Sequence, residues 1–88
     1  MGGLGSIQEL REAQRMLLDA EFDLCDSDKD RVAVLEKHLT AAKDAEKMAE
    51  QRTKAGQMAP GSGLAVTADR LKIEIALARA KEKIEARN

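Results

Sequence analysis

Tryptophan and tyrosine are absent from these 88 residues, and Phe22 is the sole aromatic side chain. Without aromatic platforms there is nothing on which the bases of single-stranded nucleic acid could stack. A core must instead come from Leu, Ile, Val, Met and many Ala, the composition of helices that pack closely through small side chains. Neither charge sign is in excess: 15 basic residues face 16 acidic ones, for a net charge of -1. No field remains to draw phosphate backbones or anionic lipid, so no nucleic-acid partner is expected. Long hydrophobic runs are missing too. Nothing approaches the ~18 apolar residues needed to cross a bilayer, and the N-terminus lacks a basic region followed by an apolar core. The chain as given is expected to be soluble, with no direct membrane insertion.

Cysteine and histidine occur once each. A lone Cys25 excludes an intramolecular disulfide, leaves the redox compartment open and is read as a small packed or half-exposed side chain. Around His38, the residues three and four positions away are Val34, Leu35, Ala41 and Ala42. None of these can ligate a metal or orient the ring, so no metal or catalytic role is expected within that helix.

What the chain does contain is helix pattern interrupted at two places. The longest run free of breakers is Asp30 to Gly56, where Val32, Leu35, Leu39, Ala42, Met48 or Ala49 and Thr53 recur at three- and four-residue steps on one face. Gly56 ends it in the place of a left-handed residue just past the last turn, with Lys54 near the negative end of the dipole. Ser27 or Asp26 is expected to cap its start, because short side chains that bond the nearby backbone favour helix beginnings. Before it, Ser6 and Glu9 have capping-box spacing. Ile7, Leu10, Ala13, Leu17, Ala20 or Glu21 and Leu24 then mark the expected buried side of a first helix, widened by Leu18, Phe22 and Cys25. After it, Gln57 to Gly63 (QMAPGSG) is turn chemistry, and a third helix is expected from Ser62 or Gly63, the alternative being a later start capped by Thr67 after an extended Leu64-Ala65-Val66. That helix carries two apolar stripes. One is Leu64, Ala68, Leu71, Ile75 and Ala78; the other is Ile73, Leu77, Ala80 and Ile84.

The spacing therefore predicts helices over 7–25, 29–55 and 63–86 and no strand. The expected fold is all-α, an antiparallel helical hairpin with a shorter third helix, as in a three-helix bundle or coiled coil. Met1 to Gly5 reads as a flexible start and residues 6–88 as a single helical domain. At 1.5 Å per residue the first helix is about 28 Å long against about 40 Å for the second. Its helices leave part of the broad face of the third helix uncovered, either Leu77 and Ile84 or Leu64 and Leu71. An 88-residue core is small. A homodimer with the third helix at the interface would supply the missing burial.

Two candidate ligand motifs fail on their spacing. Asp26, Asp28 and Asp30 open like a calcium loop, but the sixth and twelfth places, which need Gly and Glu, hold Arg31 and Lys37. A capped, solvated acidic turn accounts for them. Gly56 and Gly61 have the separation found in a phosphate loop, but Ser62 and Gly63 stand where Lys and a hydroxyl are required. The pairs Glu12/Arg15, Asp44/Lys47, Glu50/Lys54 and Asp69/Lys72 are read as solvated helical pairs, each worth about 0.2 to 0.5 kcal/mol. No catalytic, cofactor-binding or metal residue is assigned, no small-molecule substrate is evident, and no enzyme is expected.

Ala55-Gly56 closes one helix, Ala68 and Leu71 open the next, and Glu74-Ile75-Ala76-Leu77 followed by Ala80 completes it. Over residues 42–81 this text resembles the helical segments of TolC-type outer-membrane efflux proteins, with Thr53 standing where that pattern has an aromatic. The resemblance implies a periplasmic helical hairpin that packs against neighbouring hairpins without catalysis. Read from the residues alone, the function is that of a non-catalytic helical structural or interaction module whose partner is a protein, either itself or another helical chain.

Overall fold

In the computed structural model the described residues are 7–58 and 60–87, and they form three helices: α1 (Ile7–Asp23), α2 (Asp28–Lys54) and α3 (Pro60–Arg87). No strand occurs among the described residues. The expected flexible start and the Ser6 end of the capping box lie outside them.

Both ends of α2 and the start of α3 have local causes. Ser27, extended at φ -140°, caps α2 by accepting the Asp30 N–H at 3.2 Å. Asp28 and Asp30 place negative charge at the positive end of its dipole. At the other end the Gln57 N–H donates to the Arg52 carbonyl at 2.8 Å and the Gly56 N–H to the Thr53 carbonyl at 3.0 Å. These two bonds are a Schellman motif, and Gly56 takes the left-handed conformation it requires, φ +76°. The third helix starts earlier than expected, at Pro60 and not at Ser62 or Gly63. Proline is suited to the first helical position, where its fixed φ is already helical and its missing N–H would have had no partner.

The hairpin is antiparallel, since Thr53 lies beside Gly63, Glu46 bonds Thr67 and Arg70, and Glu36 approaches Lys81. Its core is built from small side chains. Ala42, Ala45 and Ala49 of α2 and Val66 and Leu77 of α3 are buried, with Met58 packed on the Ala45, Ala49 and Val66 cluster. Leu35, at 2 % exposure, is the largest fully buried side chain. The expected stripe of α2 holds in outline, with Ala49 and not Met48 turned inward and with His38 and Ala45 added to it. In α3 the stripe Ile73, Leu77, Ala80 and Ile84 is buried or half-buried.

Helix α1 is rotated from the expected main stripe toward its widened side: Leu18, Phe22, Cys25 and the alternative Glu21 turn inward as expected, and Arg11 and Gln14 join them. Arg11, Gln14, Leu18, Glu21, Phe22 and Cys25 are half-buried, whereas Leu10, Ala13, Leu17, Ala20 and Leu24 are exposed. Leu24 is 81 % exposed. Polar partners on the hairpin hold Arg11 and Glu21 inward, and the apolar stripe is rotated out with them.

Two glycine substitutions separate these local causes. Gly56→Val should destabilise by roughly 1 kcal/mol or more, through the backbone alone, because nothing lies within 4 Å of a side chain there. Gly63→Ala, inside α3 and at ordinary contact distance from Thr53, should stabilise by up to about 1 kcal/mol. Urea melts that moved both variants in the same direction would contradict the helix ends described here.

Candidate functional site

Between α1 and the hairpin lies a groove of about 240 Å³ whose floor includes Leu18, Ala42, Ala45, Val66 and Ile73. A charged clasp stands at each end. At one, the Arg11 guanidinium donates to Asp69 through Nε at 2.6 Å and Nη2 at 3.1 Å, the forked geometry that gives arginine pairs their orientation. Its Nη1 donates to Gln8 at 3.0 Å. At the other, Glu21 accepts from Lys37 through one oxygen, and its second oxygen lies 2.6 Å from His38 Nε2. His38 is buried, and its Nε2 must carry the proton to bond an ionised carboxylate. The Cys25 thiol donates to the Glu21 carbonyl at 3.3 Å.

A third cluster ties the hairpin to itself. Glu46 of α2 accepts from the Thr67 hydroxyl at 2.7 Å and from Arg70 Nε at 2.6 Å, and Arg70 also bonds Glu74. These contacts shift the ionisation of their members. The Lys37 hydrogen bond, followed by that of His38, holds the Glu21 carboxyl below its ordinary value of 4.5. The Thr67 hydrogen bond, followed by that of Arg70, does the same for Glu46. Bonding to Asp69 raises Arg11, and bonding to Glu46 raises Arg70.

The structure rearranges several readings made from spacing. His38 does have a group that orients its ring, but it comes from Glu21 on another helix, 17 residues away. Asp69 reaches Arg11 and not the Lys72 that helical spacing offered. Glu50 and Lys54 do pair, at 3.3 Å. In the acidic run, Asp28 is buried at the start of α2 and accepts from Arg31 at 3.2 Å, while Asp26 and Asp30 are exposed. No group of three or more His, Cys, Asp or Glu that could hold a metal ion occurs among the described residues. Gly61 and Ser62 lie inside α3 and so belong to a helix start. Cys25 is a free, half-buried thiol.

The arrangement is suited to holding and presenting helices. Two apolar rows face solvent: Leu64, Ala68, Leu71, Ile75 and Ala78 on α3, with Leu64 at 73 % and Ile75 at 53 %, and Leu10, Leu17 and Leu24 along α1 and just past its end. Among the described residues no helix is long and apolar enough to cross a membrane. Comparison with protein-family models, with curated proteins and with solved structures finds no match for this chain.

The clasp at Glu21 sets a pH dependence whose sign is fixed. A carboxyl depressed in the folded state contributes stability above its unfolded value, and that stability is lost as pH falls through the folded one. Protection of α1 amides from hydrogen exchange should therefore be full at neutral pH and decline below about 4.5. In Glu21→Gln that protection should already be reduced at pH 7 and respond less to acid. Equal protection of both proteins at pH 7 would show that the clasp does not hold α1.

Proposed function

We propose that this chain is a non-catalytic helical interaction module, in which α2 supports α3 so that the outer apolar face of α3 is available to a helical protein partner. The observation that carries the reading is the opposition of two stripes on α3. Val66, Leu77 and their neighbours pack on α2, while Leu64, Leu71 and Ile75 stand on the other side of the same helix. A helix that is apolar on opposite faces has to bury both, and the hairpin buries one. The rigid backing reduces the ordering cost of binding, because α3 is helical before a partner arrives.

A second reading is a helical segment of a TolC-like exporter assembly, located in the periplasm. It is supported by the long antiparallel hairpin, whose helices of 27 and 28 residues span about 40 Å each. An export signal and strand-rich flanks in the full reading frame would favour it, and a reading frame without them would remove it.

Truncation separates the two faces of α3. In dilute solution, Leu71→Ala with Ile75→Ala should change unfolding free energy by no more than about 0.5 kcal/mol per site, as at exposed positions generally. Leu77→Ala, which empties a buried position, should cost about 2–5 kcal/mol. An outer-face double variant as damaging as Leu77→Ala would mean that the stripe is already in use within the fold, and the proposed function would fail.

A further inference from the structure

The outer stripe of α3 is written in heptads. Leu64, Ala68, Leu71, Ile75 and Ala78 step by four, three, four and three residues, so Ala68 and Ile75 take a positions and Leu64, Leu71 and Ala78 take d positions of one seam. Resting on the reading above, we propose that the occupant of this seam is α3 of a second copy of the chain, lying parallel and in register about a two-fold axis.

Residue type points to that geometry first. A β-branched residue at a with leucine at d favours two parallel strands, and Ile75 with Leu71 and Leu64 is that pattern. The like layers Leu64, Leu71 and Ile75 supply the apolar bulk, and Ala68 and Ala78 let the helices approach between and beyond them.

Charge then selects the orientation. In a parallel pair each g residue faces the e residue of the next heptad on the partner helix. Glu74 is at g and Arg79 is at e, so the symmetric pair brings two opposite-charge contacts. Thr67 faces Lys72 and Lys81 faces Ala86, so no like charges meet on these flanks. An antiparallel pair that opposes Leu71 with Ile75 and Ala68 with Ala78 places Glu74 against Glu74 and Lys72 against Lys72. Sliding that pair to relieve the repulsion confines the overlap to Leu64 through Ile75 and leaves Ala78 without an apolar partner. Glu82, the next a residue, ends the parallel seam just beyond Ala78.

The seam runs from Leu64 to Ala78, with Leu64, Leu71 and Ile75 exposed in the single chain. Two heptads would be a short seam for isolated peptides. Here each helix is already ordered on its own α2, so association orders little further chain.

Cysteine placement tests the register directly. In a Cys25→Ser background, Ala68→Cys and Ala78→Cys each bring a thiol opposite its own copy in the parallel seam, within the roughly 4.4–6.8 Å Cα separation that a disulfide spans. Sedimentation equilibrium of the parent should give twice the 9.6 kDa chain mass. Each single-cysteine variant should then form a covalent dimer by itself under mild oxidation. Ile75→Glu should weaken the dimer by roughly 100-fold, because a facing pair of buried side chains is lost. A dimer in which neither single variant cross-links, whether or not a mixture of the two does, is not the parallel pair and overturns the proposal, while its sensitivity to Ile75→Glu shows whether the outer face of α3 is still the docking surface. A parent that stays monomeric up to millimolar concentration also overturns it and assigns the face to a different protein. A dimer indifferent to Ile75→Glu forms through another face and overturns this proposal, leaving the proposed function to the truncation test above.

Discussion

The close approach of α3 to the alanine row of α2 is the interaction on which the rest of this structure depends. Ala42, Ala45 and Ala49 are almost completely covered although each contributes little apolar area of its own. What they contribute is proximity. Small side chains at a helix contact bring the axes toward the short end of the usual 8–10 Å range. At that distance Val66 and Leu77 fill the space between backbones, and Glu46 is within hydrogen-bonding reach of both Thr67 and Arg70. With one phenylalanine and no larger aromatic in the chain, the contact is made by alanines and a few aliphatic side chains.

The same constraint explains why so much apolar surface is left outside. A flat contact through alanines engages one side of α3 and makes no demand on the opposite side, where Leu64, Leu71 and Ile75 stand. Helix α1 does not cover that side. It lies along the flank, held by Arg11 on Asp69 and by Glu21 on Lys37 and His38. Its inward face is partly polar, so its attachment relies on directed bonds more than on burial. The elongated shape, 49 × 25 × 15 Å with a radius of gyration of 14.9 Å, follows from two long helices side by side and one short helix on the flank. A compact chain of this length has a radius of about 12 Å.

Much of the architecture was legible because its causes are local. Gly56 marks the end of α2 through a conformation that side chains resist, and Ser27 marks its start through one hydrogen bond. Both are properties of a few consecutive residues. The start of α3 at Pro60 lies two or three residues ahead of the expected Ser62 or Gly63, because a proline suits a turn and the first turn of a helix equally well. Orientation was harder. In α1 the stripe through Leu10, Leu17 and Leu24 is the more apolar one, and spacing alone selects it. The actual rotation is decided by Arg11 and Glu21, whose partners are 58 and 16 to 17 residues away. Helical periodicity carries no information about such partners. For α3 both stripes were visible in the sequence, and only the packing against α2 distinguished the inner from the outer.

Residue-resolved hydroxyl-radical footprinting across a concentration series tests the central claim most directly, because it reads each face of α3 separately. The account predicts that Val66 and Leu77 are protected at every concentration. Leu64, Leu71 and Ile75 should be reactive in dilute solution and become protected together as concentration rises, while Leu10, Leu17 and Leu24 stay reactive throughout. Protection of Leu64, Leu71 and Ile75 in the dilute monomer, or protection of the α1 leucines in their place on association, would contradict it.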